Sequence, residues 1–173
     1  MPIIRNGQWS EDDWRPLGDD EPVPPGELFT VSLKRWNAER ETLIARNVPL
    51  GIRLKSDELA AAIGKDASYF ALISVDMPAF RDGRAFSTAR LLRERYGYTG
   101  EIRASGHILP DQVLFLARCG VNSFAPNKVL RAEPFLEALR EYTVTYQNPR
   151  SARGAAPALR LRSANFCLAQ AAE

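Results

Sequence analysis

Two arginines of this sequence, Arg84 and Arg103, could bind an anion. Arg84 follows Asp82 and Gly83 in a long predicted loop, and its planar guanidinium fits a carboxylate, sulfate-like or phosphate-like anion. Gly83 allows the backbone to turn tightly beside it. We therefore expect a small anion as the guest. The alternative is a loop brace, in which Asp82 accepts backbone N–H groups and pairs with Arg84.

Arg103 differs from Arg84 because it lies inside a predicted strand, between apolar residues. If its side chain faces inward at the carboxyl end of the strand, it needs a carboxylate partner, since a buried unpaired guanidinium is very unfavourable. Asp76, Asp82 and Asp111 are the candidate partners. The alternative is a solvated arginine on an edge strand.

No catalytic residue can be assigned from the sequence, although His107 and Asp111 are candidates. His107 is the single histidine, and it precedes a predicted helix that begins at Pro110. Its intrinsic pKa suits acid–base chemistry, but a lone histidine in a loop is more often a solvated or capping side chain. Asp111 favours the positive end of that helix, where Gln112 could donate a hydrogen bond to the anion.

Motifs for the common cofactors and metals are absent from the sequence. It contains no Gly-x-Gly-x-x-Gly, no phosphate-loop lysine motif and no cysteine-rich ligand set. Cys119 and Cys167 lie 48 positions apart, which predicts neither a disulfide framework nor a metal site. Cys119 is better explained as a small buried side chain. The sequence therefore names no cofactor.

Alternating strands and helices must position these side chains. Apolar runs predict strands at residues 50–54, 69–75, 101–104 and 121–125. Caps, apolar spacing and terminal glycines predict helices at residues 33–46, 57–63, 110–119 and 133–145, and another that begins at Ser87 or Thr88 and ends at residue 96. Ser32 and Pro110 are start signals, and Gly97 and Gly120 are stop signals.

These elements predict an α/β fold with four successive β-α units and a small parallel sheet. The sheet is either open or similar to half of a (β/α)8 barrel, because 173 residues are too few for a whole barrel of ~250. Ligands bind outside the carboxyl ends of parallel strands. We therefore expect the site beside the predicted strand ends, at residues 55–56, 76–78, 105–107 and 126–128.

The α/β domain of residues 31–147 is flanked by two segments of different composition. Within residues 1–30, Asn6-Gly7 predicts a β-hairpin, and the acidic, proline-rich residues 19–26 predict an extended linker. Residues 148–173 are rich in arginine and alanine and lack a steady period. We expect this tail to be disordered.

Composition and charge exclude several classes of protein. No apolar run approaches the ~20 residues that span a bilayer, and the first residues lack the basic start and apolar stretch of a signal peptide. The net charge is only +2, without the clustered basic stripe of a nucleic-acid interface. We expect a cytoplasmic protein without a membrane or nucleic-acid partner.

One stretch resembles a known family. It consists of FRDGRAFS at 80–87, ARLLRERYGYTGEIRA at 89–104, Gly106, Asp111-Gln112 and LARCG at 116–120. This pattern resembles the bacterial family named domain of unknown function 934, whose positions are matched here by Asp82, Gly83, Arg84, Ser87, Arg103, Gly106, Asp111 and Gln112. His107 stands where the family commonly has an acidic residue.

The resemblance implies a role in sulfite reduction, because members of the family are described as candidate oxidoreductases encoded beside the sulfite reductase haemoprotein. The expectation is an accessory protein or oxidoreductase of assimilatory sulfite reduction that binds an oxyanion through Arg84, Arg103, Asp82, Gly83 and Gln112. One alternative is a non-catalytic module that docks onto sulfite reductase through Trp9, Trp14 or the basic tail. Another is a barrel-like enzyme fragment acting on a phosphorylated metabolite.

Overall fold

The structure is a computed structural model that describes residues 2–127 and 133–141. Its strands are β1 (Pro2–Arg5), β2 (Gln8–Glu11), β3 (Trp14–Pro16), β4 (Leu28–Ser32), β5 (Leu50–Leu54), β6 (Phe70–Met77), β7 (Glu101–Gly106) and β8 (Ser123–Pro126). Its helices are α1 (Leu33–Ala45), α2 (Arg84–Glu94), α3 (Pro110–Arg118) and α4 (Glu133–Arg140). Two 3-10 helices, Ala60–Ala62 and Gly64–Tyr69, join β5 to β6.

All eight of these strands form one sheet, in the order β2-β1-β8-β7-β6-β5-β4-β3. Strands β3 to β8 are parallel, and the β1–β2 hairpin joins β8 in antiparallel fashion. Right-handed crossovers between sequential neighbours place the connecting helices on the same face of the sheet. We call the opposite face the inner face.

The sheet is strongly curled. In a flat sheet, seven strand spacings of about 4.8 Å would separate β2 from β3 by roughly 34 Å. However, only Asp12 and Asp13 connect the end of β2 to the start of β3, and three Cα–Cα steps reach at most about 11 Å. The two edge strands must therefore lie close together, which favours the half-barrel form over the open sheet.

The core lies between the helices and the sheet. Phe29, Ile52, Ile73 and Phe124 project from four strands and are at most 1% exposed. The Trp36 ring of α1 packs edge-on against Phe70, with 4.6 Å between ring centroids. Because these strand positions alternate with polar ones, the polar residues of the strands lie on the inner face.

Local signals in the sequence explain several element boundaries. Asn6 (φ 52°) and Gly7 (φ 76°) form the turn of the predicted hairpin. Ser32 begins α1, since its hydroxyl accepts a hydrogen bond from the Arg35 amide at 3.1 Å. Pro110 is the first residue of α3 and Gly120 follows its end with φ 107°. These predictions are confirmed.

Other elements differ from the prediction. The α/β class is confirmed, but the four successive β-α units are not, because β5 is followed by the two 3-10 helices rather than by a helix at 57–63. Strands β3 and β4 were not predicted. Helix α2 begins at Arg84 instead of at Ser87 or Thr88, with Gly83 as its N-cap. Residues 142–145 of the last predicted helix and the tail at 148–173 lie outside the described residues.

None of the helices in the described part of the chain is long and apolar enough to cross a membrane.

Candidate functional site

Arg84 and Asp82 form a rigid pair between the end of β6 and the start of α2. Asp82 Oδ1 accepts from Arg84 Nε at 2.9 Å and Asp82 Oδ2 accepts from Arg84 Nη2 at 2.7 Å. Nη2 also donates to Ser56 Oγ at 3.0 Å. These hydrogen bonds from Arg84 hold the pKa of Asp82 well below its usual range. The loop brace is therefore present, and it orients the guanidinium of a side chain that is still 53% exposed.

The backbone beside this pair is open. Gly83 has an ordinary φ of −88°, and a Cβ atom there would meet nothing within 4 Å. The glycine is thus not required by the conformation of the loop. The space around this backbone position is open, so no neighbouring group outside residues 82–84 crowds it.

Arg103 is buried on the inner face and already has carboxylate partners. Its Nη1 donates to Asp12 Oδ1 at 2.7 Å, its Nη2 to Glu101 Oε1 at 2.9 Å and its Nε to Ser123 Oγ at 3.3 Å. The predicted partners Asp76, Asp82 and Asp111 are wrong, and so is the alternative of a solvated edge arginine. Arg84 and Arg103 share no partner, so the structure does not bring them to one anion.

A row of polar residues crosses the inner face at the level of Arg103. The strand register places side by side Ser32, Arg53, Ser74, Arg103, Ser123 and Arg5. The Arg53 side chain is exposed, and its Nη2 donates to the Leu17 carbonyl at 2.9 Å. Within residues 2–127 and 133–141, no carboxylate pairs with Arg53.

Asp76 lies two residues beyond Ser74 toward the carboxyl end of β6, opposite Ser105. Its side chain is half-buried, and burial followed by the like charge of Asp82 raises its pKa, while a hydrogen bond from the Met77 amide acts in the opposite direction. The hydroxyls of Ser74 and Ser105 form a hydrogen bond with each other, with 3.1 Å between the two Oγ atoms. In the described part of the chain Asp76 has no cationic partner.

A cavity of about 330 Å³ opens at the carboxyl ends of β6, β7 and β8, lined by Pro78, Gly106, His107, Ile108, Leu109 and Asn127. Gly106 has φ 109°, and a Cβ atom there would stand 2.4 Å from the Met77 carbonyl oxygen and 3.0 Å from Asp76 Oδ1. Only glycine fits this position. The Asp76 carboxyl therefore borders the glycine that lines the cavity.

The two polar residues at the start of α3 have different surroundings. Gln112 Oε1 accepts from the Leu109 amide and its Nε2 donates to the Phe80 carbonyl, both at 3.2 Å. Gln112 therefore joins the β6–α2 loop to α3. Asp111 and His107 are exposed, and His107 donates its backbone N–H to Met77 O at 2.7 Å.

Sequence reasoning missed Arg53 and the isolation of Asp76. Arg53 carried the signal used for Arg103, a single charge within an apolar strand, but the sequence argument used only the carboxyl end of that strand, at residues 55–56. No local pattern reveals that Asp76 lacks a partner, because that depends on the register of β5, β6 and β7. Cys119 is only partly buried, and burial raises its pKa; Cys167 lies outside the described residues.

Comparison with known proteins identifies a family but no characterised relative. Curated proteins give no significant match. Residues 51–157 match the family described as bacterial protein of unknown function DUF934, which is more than half of the chain. This match includes α2, β7 and α3, and with them the Asp82–Arg84 pair, Arg103 and the cavity. The chain therefore belongs to the DUF934 family.

Proposed function

We propose that the chain is an accessory protein of assimilatory sulfite reduction, in the cytoplasm, that binds a small oxyanion such as sulfite at the carboxyl ends of β5 and β6. The pathway is supported by the family resemblance of residues 80–120. The oxyanion is supported by one observation above all: the Arg84 side chain is half-exposed, and Asp82 holds its guanidinium in place beside Ser56, next to the open backbone at Gly83. Because Nε and Nη2 of Arg84 already donate to Asp82, the anion would bind at Nη1. A guanidinium that is already held in place suits an oxyanion better than a mobile one, because less side-chain entropy is lost on binding.

Each proposed binding residue has a distinct part in this arrangement. Arg84 contacts the anion, Asp82 orients Arg84, and Gly83 leaves room for the guest. Gln112 holds the neighbouring loop through Phe80 O. Arg103 does not contact the anion in this proposal, because Asp12 and Glu101 already accept hydrogen bonds from its guanidinium.

Calorimetry of sulfite binding tests the oxyanion site. Arg84→Ala should weaken binding about tenfold or more, since charge-assisted hydrogen bonds are lost. The matched control is Arg90→Ala, which removes an exposed arginine of the same helix that pairs with Glu94. Unchanged affinity in Arg84→Ala would remove the site, and equal affinity for sulfate would leave it as an anion site without preference for sulfite.

Growth of a deletion strain tests the pathway independently. The strain should grow poorly on sulfate and normally on cysteine as the sole sulfur source. Equal growth on both would refute the assignment to sulfite reduction while leaving anion binding intact.

A second candidate function is docking onto the sulfite reductase haemoprotein through Trp9. Trp9 is 45% exposed on the edge strand β2, and exposed aromatic side chains suit recognition. Trp14 does not suit that role, because it lies in β3 and its ring covers Gly51 on the inner face. The basic tail lies outside the described residues.

Pull-down of the reductase separates docking from oxyanion binding. In the docking case, Trp9→Ala abolishes capture while Arg84→Ala leaves it intact. Val48→Ala is the control, since Val48 is 43% exposed elsewhere on the surface. Capture that survives Trp9→Ala would exclude this hairpin as the contact.

A further inference from the structure

Helix α3 carries a continuous stripe of four side chains on the face that points away from the sheet. These residues, spaced at i, i+3, i+4 and i+7, are Asp111, Leu114, Phe115 and Arg118. Val113 and Leu116 lie on the opposite face of the helix and are buried in the core. Phe115 is 53% exposed, and the other three side chains also reach the surface. We call these four residues the α3 stripe.

A neighbouring aromatic ring enlarges the apolar centre of the α3 stripe. Phe86 of α2 packs against Phe115, with 5.1 Å between the ring centroids. Phe80 is also half-exposed, and its carbonyl oxygen accepts a hydrogen bond from Gln112 of α3 at 3.2 Å. Apolar side chains exposed singly are ordinary, whereas exposed rings that contact each other favour an interaction surface.

The two charges at the ends of the α3 stripe have no ionic partner within residues 2–127 and 133–141. Asp111 and Arg118 are separated by about 10 Å along the helix axis, and they do not pair with each other. Arg118 Nε is buried and, in the described part of the chain, lacks a hydrogen-bond partner. The nearby charges of α2 do not compensate Arg118, because Arg90 and Glu94 pair with each other at 3.0 Å.

We propose that the α3 stripe is the contact between two copies of this chain, related by a two-fold axis that passes between Leu114 and Phe115. Antiparallel packing of two α3 helices about this axis places Asp111 opposite Arg118 of the second copy. It also places Phe115 against Leu114 of the second copy. Each contact occurs twice, because a two-fold interface is self-complementary. Packed helix axes about 8–10 Å apart leave room for these side chains.

The order of the charges explains why the partner is a second copy. Asp111 precedes Leu114 by three residues and Arg118 follows Phe115 by three residues, so the reversed stripe is the electrostatic complement of the stripe itself. Parallel packing would instead place like charges opposite each other, which is unfavourable. The charges therefore specify both the partner and its orientation. The proposal is independent of oxyanion binding, which depends on Arg84.

Sedimentation velocity with the full chain, at concentrations from about 1 to about 200 μM, tests whether this dimer forms. The unmodified protein should be dimeric at the highest concentration. Phe115→Ala should raise the dimer Kd at least tenfold, because its apolar contacts are lost twice. The matched control is Leu59→Ala, which removes a side chain that is 48% exposed elsewhere on the surface, and it should leave the Kd unchanged. A monomer at every concentration would overturn the proposal on the unmodified protein.

Charge reversal then tests the two-fold contact. Asp111→Arg and Arg118→Asp should each raise the dimer Kd at least tenfold, because each brings like charges together in both ionic contacts. An equimolar mixture of the two variants should dimerise again, since every ionic contact between them joins opposite charges. Asp20→Arg and Arg46→Asp are controls at exposed positions and should dimerise as the unmodified protein does.

Two results of the charge reversal would refute the assignment. The first is an unchanged Kd in both Asp111→Arg and Arg118→Asp, which would place the dimer contact elsewhere. The second is a mixture that stays monomeric although circular dichroism shows both variants to be folded, because opposite charges would then not meet across the axis.

Discussion

Asp12 Oδ1 lies 2.7 Å from Arg103 Nη1, and this hydrogen bond joins residues 91 positions apart in the sequence. It connects the short link between the two edge strands with the centre of the inner face. Glu101 holds the same guanidinium from the other side. The buried Arg103 thus pairs with two carboxylates, those of Asp12 and Glu101, and its positive charge stabilises both.

Arg103→Ala should destabilise the protein by about 3–5 kcal/mol, because it leaves Asp12 without its cation and Glu101 with Arg5 alone. Asp12→Asn should have a smaller effect, since Glu101 still pairs with Arg103. Urea unfolding measures both. Arg84→Ala, at an exposed pair, is the control and should change the free energy of unfolding little. Equal effects of Arg103→Ala and Arg84→Ala would contradict the buried role.

Gly106→Ala should destabilise the fold by at least about 1–3 kcal/mol, the typical cost of backbone strain, because a steric overlap is added to that strain. The residue has φ 109°, and the added Cβ would stand 2.4 Å from the Met77 carbonyl oxygen. Urea unfolding measures this change. Gly18→Ala is the control, since a Cβ there meets only Glu21 atoms at 3.6 Å. A tolerated Gly106→Ala would show that the strand ends can shift.

Asp76→Asn should raise the thermal stability at neutral pH. The folded state raises the pKa of Asp76 above its ordinary value of 3.8, so folding favours the protonated form. Stability from this group is present below that ordinary pKa and is lost as pH rises through the folded pKa. The melting temperatures of Asp76→Asn and the unmodified protein should therefore converge below about pH 3.8 and diverge above it. A constant difference at all pH values would mean that ionisation is not the cause.

Ser32→Ala should destabilise the protein by about 1 kcal/mol, because α1 loses its N-cap. The Ser32 hydroxyl also donates to Asp19 Oδ1 at 2.5 Å, and this bond is the first cause of the lowered pKa of Asp19. NMR titration should find the pKa of Asp19 closer to its ordinary value in the variant. Ser87→Ala, at an exposed position of α2, is the control and should change neither quantity.

Elements with strong local signals could be predicted from the sequence. Asn6-Gly7 and Ser32 each determine their neighbours' conformation through a few adjacent atoms, so pattern reasoning found the hairpin and the start of α1. Gly83 caps α2 without a side-chain bond, and the start of that helix was placed too late. Strands β3 and β4 were missed because they flank a proline-rich segment whose residues predict turns. They are stabilised by nonlocal pairing, β3 with β4 and β4 with β5.

The candidate site was less predictable than the fold. The pairing of Arg84 with Asp82 spans two residues and was foreseen as one of two alternatives. The partner of Arg103 was not, because Asp12 reaches it only through the curl of the sheet. Asp76 has no cationic partner among the described residues, and the sequence alone does not show this, because it depends on the register of the neighbouring strands.

The two-residue link of Asp12 and Asp13 limits how wide the inner face can become. The link joins the two edge strands β2 and β3, so its length limits the width of the inner face and the size of any ligand bound there. Inserting residues between Glu11 and Trp14 would let the rims move apart and admit bulkier molecules. The length of this connection, rather than the side chains of the inner face, therefore limits the size of the molecules that the inner face can hold.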